Sequence, residues 1–282
     1  MRTRKQKNMI NKVLFYVALI LILIALLFPF IMMLSVSLKS TAETIGFPPT
    51  IIPRSFTIQH YKDIFNVQIF PFVRYLKNSL YIALATSVLV VFLGILGGYA
   101  LARLKFFGKS VISEVFFFVY MFSGILLIVP LYKLLASIGL RNTEEAVIIC
   151  MIIQTLPTAI YMTRSFFETI PVELEEAGKV DGLSRWGVIF RIIVPLSISG
   201  LISVFVYAFM IAWNDVLFAS IFIDSTENMT ITIGLNSLFN TPDYIWGRMM
   251  AASLVTSLPI IIMYGISQSL IKSGRADGGV KG

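Results

Sequence analysis

The sequence predicts an all-α, polytopic membrane protein with six transmembrane helices. Composition is the first reason. Of 282 residues, 57% are hydrophobic and only 13% charged, with a mean hydropathy of +0.86. Soluble domains carry about 25% charged residues, so a large soluble domain is excluded. The second reason is six apolar runs, each near the roughly 20 residues a helix needs to cross a bilayer core about 30 Å thick. The third is an uneven placement of Lys and Arg between those runs.

The runs cover 13–34, 79–99, 111–132, 146–163, 192–212 and 249–271. A helix closes its own backbone hydrogen bonds, which lipid requires. The first run follows Arg2, Arg4, Lys5, Lys7 and Lys12. A basic start also describes a signal peptide, but this run exceeds the usual apolar region of roughly 7–15 residues. It reads as an uncleaved anchor. Asn214 and Asp215 interrupt the fifth run, and 216–223 is apolar again. That extension could be interfacial, re-entrant or part of the helix. Glu114 is the one ionisable residue inside a run. It lies one turn from an end, where pairing with Lys109 or Arg103 accounts for it better than a proton relay.

Charge sets the topology. With the N-terminus inside, segments 1–12, 100–110, 164–191 and 272–282 hold 15 of the 23 Lys and Arg. The outside segments 35–78, 133–145 and 213–248 hold 8, although they are longer in total. This is the positive-inside bias. It predicts a cytoplasmic N-terminus (1–12), a single transmembrane domain (13–271) and a cytoplasmic tail (272–282), in contact with membrane lipid. Trp213 and Trp246 fall at expected outer ends and Tyr99, Tyr132 and Tyr161 near interfaces, as an aromatic belt would place them.

Several function classes drop out. The positive residues are scattered rather than clustered, which argues against nucleic acid. The single Cys150 lies in an apolar run and reads as packing. The only histidine, His60, has no cysteine or carboxylate cluster around it, so no metal or other cofactor is expected. No G-x-x-x-x-G-K-[ST] run occurs, and no nucleophile–base set is visible. The chain is expected not to be an enzyme. Gly94, Gly97 and Gly98 read as helix-packing residues.

The segment between the fourth and fifth runs is different. Pro171 suits a helix start, and Glu173, Glu175 and Glu176 lie near the positive end of that helix. Leu174, Ala177, Gly178 and Asp181 share one mostly small face. Gly182 is a natural residue just past a helix end, and Ser184 can cap a second helix leading through Trp186 and Phe190 to Pro195. The expected product is helix, sharp turn, helix, joined directly to a spanning helix.

Glu176-Ala177-Gly178, three residues, Gly182, nine residues, Ile192, one residue, then Val194 and Pro195 resembles the EAA loop of ABC-importer permeases. The family pattern is E-A-A, three residues, G, nine residues, I, one residue, L-P. Gly178 and Val194 depart from it conservatively. Asn78-Ser79-Leu80, the run Gly98 to Arg103, Pro130 to Tyr132, Gly139 to Thr143 and Trp213-Asn214 extend the likeness. With the Gly-rich tail ending in Val280-Lys281-Gly282, they make the chain similar to the carbohydrate-importer branch of maltose-type permease subunits. The resemblance implies a type I ABC-importer permease fold in the cell membrane and a sugar or oligosaccharide as cargo. The implied partners are a homologous second permease subunit, an ABC ATPase dimer and an extracytoplasmic solute-binding protein. It implies alternating access driven through Glu176, Ala177, Gly178, Asp181, Gly182 and Pro195. It further implies that Val280, Lys281 and Gly282 contact the ATPase. In the long outer loop, Phe239, Asn240 and Thr241 are the expected tip touching the binding protein, because Asn240 and Pro242 favour a turn. The alternatives are a permease for a peptide, polyamine or osmolyte, an ion-coupled secondary transporter, which would need buried acids or broken helices at mid-membrane, and a membrane enzyme.

Overall fold

The computed structural model describes residues 2–121, 124–238 and 245–277. Among them the structure is helical, and the only β pairing is an isolated bridge between Lys39 and Phe56. In chain order the helices are α1 (Arg2–Ser37), α2 (Thr41–Thr44), α3 (Gln59–Phe65), α4 (Phe72–Arg103), α5 (Lys109–Met121), α6 (Gly124–Ser137), α7 (Glu144–Glu168), α8 (Val172–Val180) and α9 (Arg185–Val188). A π-helical turn (Ile189–Ile193) follows. Then come α10 (Val194–Leu196), α11 (Ile198–Trp213), α12 (Leu217–Phe222), α13 (Ile231–Leu238) and α14 (Trp246–Asp277).

Helices α1, α4, α7 and α14 are long and apolar enough to cross a membrane and contain the first, second, fourth and sixth expected runs. The third run falls on α5 and α6, with 122–123 outside the described residues. The fifth differs from expectation. Residues 192–196 belong to the helical stretch Arg185–Leu196, which meets α11 at a bend of 82°. The chain divides into two compact units, Met1–Phe72 with Ser237–Ser257, and Val73–Asn236 with Leu258–Gly282.

In the first unit, residues 11–31 of α1 are all exposed within the chain. The segment after it is tied down by polar groups. The Lys39 ammonium is buried and donates to the Thr50 carbonyl, and the Ser35 hydroxyl donates to that of Ile51. The Glu43 carboxylate accepts from the backbone N–H groups of Arg54 and Ser55 (both 2.9 Å) and from the hydroxyls of Ser55 (2.7 Å) and Thr50 (2.8 Å). The backbone donors Arg54 and Ser55, with those hydroxyls, hold its pKa down at about 2, below the ordinary 4.5. His60 is buried and bonds through Nε2 to the Lys39 carbonyl at 2.8 Å. Gly247 passes so close to that ring that a Cβ would overlap it. Arg248 pairs with Asp63 at 3.2 Å.

In the second unit, α4 and α7 approach closely over Gly94, Gly97 and Gly98. A Cβ on Gly97 would stand 2.9 Å from Ile160 Cδ1, and one on Gly98 would overlap Thr163. The Thr163 hydroxyl also donates to the Gly94 carbonyl at 2.8 Å. Small residues allow this approach, and lipid-embedded packing depends on it. Val90, Ala159, Val204 and Ala208 form one buried cluster where α4, α7 and α11 meet.

The expected outer side of this unit is also knotted. Asn142, at φ 59°, accepts on its side-chain oxygen from the N–H groups of Asp224 and Ser225, both at 2.9 Å. Asn78 donates to the carbonyls of Glu227 (2.8 Å) and Met229 (3.0 Å), and Ser79 Oγ accepts from the Ile231 N–H at 2.8 Å. Helix α13 begins at Ile231, directly after this knot. Trp213 is no belt residue. It is 2% exposed and stacks on Phe209 at 5.6 Å.

Candidate functional site: the loop between α7 and α11

Pro171 stands one position before α8, with extended backbone (ψ 135°), so its missing N–H costs the helix nothing. Glu173 and Glu175 occupy the first turn. The end of α8 is built as the sequence predicts. Gly182 has φ +86°, its N–H donates to the Lys179 carbonyl at 3.1 Å, and the Leu183 N–H reaches back to Gly178 at 2.9 Å. These are the two bonds of a Schellman turn, and they need a left-handed residue at Gly182. Ser184 then caps α9, accepting from the Gly187 N–H at 3.2 Å.

Sequence reasoning missed what anchors the loop. Glu175 is 2% exposed and receives Arg103 Nε at 2.5 Å and the Tyr99 hydroxyl at 3.1 Å. The Arg103 guanidinium also donates to the carbonyls of Phe167 (2.8 Å) and Ile170 (2.5 Å). One side chain at the end of α4 therefore satisfies the orphan carbonyls where α7 ends and neutralises the first turn of α8. Around it lie Ile95, Phe167, Ile170, Val188, Ile189, Ile193 and Leu201. The available signal was an arginine just past one apolar run and a carboxylate, of opposite sign, in a later loop expected on the same side.

Arg103 is thus committed to Glu175 and does not reach Glu114, which accepts instead from Ser110 at 3.1 Å. Lys109 donates to the Leu104 carbonyl at 3.2 Å. The pairing expected for Glu114 is absent among the described contacts.

Gly178 is also placed differently from expectation. It is buried, and a Cβ there would stand 2.5 Å from Ile192 Cδ1. It faces the second half of the loop, while Leu174, Glu176, Ala177, Asp181 and Gly182 remain exposed. Trp186 and Phe190 stack at 6.1 Å beside them, both largely exposed. Beyond α9 the chain widens into the π turn. Pro195, two residues past it, lacks the N–H that would bond to Arg191, and the 82° turn at Ser197 follows. Glu176, Ala177, Gly178, Asp181 and Gly182 are brought together on α8 and its turn, and Pro195 sits at the loop's far end, where it joins α11. Val280, Lys281 and Gly282, and the tip residues Phe239, Asn240 and Thr241, lie outside the described residues.

The family model described as "Binding-protein-dependent transport system inner membrane component" matches residues 91–274, a stretch that contains this loop. The chain is 58% identical over 276 residues to "Inner membrane ABC transporter permease protein YcjP" of Escherichia coli (strain K12), covering 98% of this chain and 99% of that protein. It is 31% identical over 278 residues to "Trehalose/maltose transport system permease protein MalG" of Thermococcus litoralis, covering 98% and 99%. Its fold is similar to a chain in the crystal structure of a bacterial ABC transporter involved in import of the acidic polysaccharide alginate. The TM-score there is 0.80 at 19% identity, over 92% of this chain and 96% of that one.

Proposed function

Because the chain belongs to the inner-membrane components of binding-protein-dependent transport systems, we propose that the loop from Pro171 to Pro195 is where it receives force from a separate ATPase. The chain is a multi-pass ABC transporter permease subunit, homologous to sugar-importer permeases, and sugar import fits it. One observation carries the proposed mechanism. The loop is anchored on one face and exposed on the other: Arg103 and Glu175 tie α8 to the end of α4, while Leu174, Ala177 and Asp181 are open to a partner. A push on α8 passes through the Gly178–Ile192 contact and around the 82° bend into α11.

The working transporter in this reading contains a homologous second permease, two copies of an ABC ATPase and an extracytoplasmic binding protein that delivers sugar. This chain carries no catalytic group for ATP hydrolysis. Its N- and C-termini face the cytoplasm. Val280, Lys281 and Gly282 reach the ATPase, and Phe239, Asn240 and Thr241 reach the binding protein. The test is Gly182→Leu in the reconstituted complex. A Cβ at Gly182 meets nothing within 4 Å in this chain, so the internal cost is the left-handed backbone alone, about 1–2 kcal/mol. The variant is expected to insert and assemble but to lose stimulation of ATP hydrolysis by loaded binding protein. Full stimulation would remove the turn from the coupling.

A further inference from the structure

The extended fifth run breaks at Asn214–Asp215, between the end of α11 at Trp213 and the start of α12 at Leu217. Helix α11 has 16 residues, about 24 Å at 1.5 Å per residue, against a core of about 30 Å. With Ile198 at the inner boundary, its end at Trp213 and the break at Asn214–Asp215 stand below the outer surface. Non-helical backbone at that depth is tolerated where it is buried in protein or lines a polar cavity. Both oxygens of Asp215 accept from the start of α12, from the N–H groups of Phe218 (3.3 Å) and Ala219 (2.9 Å), and Asn214 donates to the Met210 carbonyl at 2.8 Å. The break is therefore a built feature with a fixed shape.

It opens on a cleft of about 480 Å³ within the second unit, lined by Gly124, Gln154, Met210, Asn214, Asp215 and Phe218 among others. That volume lies in the range of ligand sites, about 300–1,000 Å³. Gln154 sits in the middle of the fourth apolar run, roughly 15 Å along α7 from Glu144. Its amide is exposed and makes no hydrogen bond among the described residues. An amide left unpaired in hydrocarbon costs about 4–8 kcal/mol, so this position demands water, a polar partner or a polar ligand. Gly124 keeps the space open, since a Cβ there would already touch the Gln154 Nε2 and the Phe218 ring at 3.5 Å.

We propose that this cleft is a sugar-contact site on the translocation path. The amides of Gln154 and Asn214 bond hydroxyl groups, and the exposed Met210 supplies apolar surface for the C–H faces of a sugar. The assignment rests on the sugar-importer reading above. No group of three His, Cys, Asp or Glu residues that could hold a metal ion occurs among the described residues.

The test uses the complete transporter in proteoliposomes with its binding protein, offered tritiated trehalose, maltose and alginate oligosaccharide. For whichever sugar the wild type carries, sugar retained by the vanadate-arrested complex is counted alongside retained nucleotide. Gln154→Leu and Asn214→Leu are expected to lower retained sugar at least tenfold with nucleotide unchanged. Gly124→Leu, which fills the cleft without removing a polar group, should do the same. Wild-type retention in all three variants overturns the site while leaving the sugar-importer reading intact. Loss of the second permease from Gln154→Leu preparations also overturns it, assigning the cleft to subunit packing instead. A wild type that carries none of the three sugars overturns the site together with the reading it rests on.

Discussion

Arg103 ties the end of α4 to both the end of α7 and the first turn of α8. It neutralises Glu175 and satisfies two carbonyls at the end of α7, and it is only 12% exposed. A charge pair so buried gains little over a well-packed apolar pair, but breaking it by removing one partner costs about 3–5 kcal/mol, because the other charge stays buried alone. Arg103→Met and Glu175→Met should each lower the thermal midpoint of the detergent-solubilised protein sharply. The double variant is expected to be more stable than the sum of the single losses predicts. Strict additivity would mean that the two side chains are not coupled. Sequence reading placed Glu175 beside Glu173 and Glu176 as one of three equivalent acids near a helix start. The structure separates them: Glu175 points inward to an arginine more than seventy positions earlier, while the other two stay exposed. Nothing in local spacing distinguishes the three, since which one turns inward depends on where the end of α4 lies.

The loop between α7 and α11 works as an element because its two halves touch. The contact is Gly178 against Ile192, where a Cβ would come within 2.5 Å of Cδ1. The atom that must yield is the far end of a flexible side chain, so the cost is one of overpacking, about 1–3 kcal/mol. Gly178→Ala is expected to destabilise the loop by that order, read as a lower thermal midpoint and weaker ATPase stimulation. Ile192→Val removes the offending methyl and should restore both in the double variant. A Gly178→Ala protein that behaves as wild type would show that the halves do not bear on each other. The Schellman turn at Gly182 and the Ser184 cap are decided by four or five neighbouring residues, and those were legible. The bend was not. Pro195 announces a lost hydrogen bond, but whether a helix answers with a gentle kink or an 82° turn depends on what packs behind it, here Val188, Ile189 and Ile193 against α4 and α7.

For the whole molecule, the charge asymmetry makes a topological prediction that two exposed phenylalanines can test. Phe47 is 94% exposed and lies in the first expected outer segment; Phe107 is fully exposed and lies in the first expected inner one. The native Cys150 is buried in α7 and should stay silent to a bulky reagent. Phe47→Cys is expected to react with a membrane-impermeant maleimide in right-side-out vesicles, and Phe107→Cys only after the membrane is opened. The reverse pattern would invert the chain. At this scale the sequence alone determined the helical class, six apolar segments and the loop that carries the family pattern. Those properties follow from hydropathy, capping chemistry and residue spacing, each of which acts over one helix or less. Tertiary structure alone decided that Arg103 grips Glu175, that Trp213 turns inward, and that Gln154 and Asn214 line one cleft. Each of these joins residues far apart in the chain, and their pairing depends on how apolar helices pack, where any one lipid-facing surface resembles another until the partner is in place.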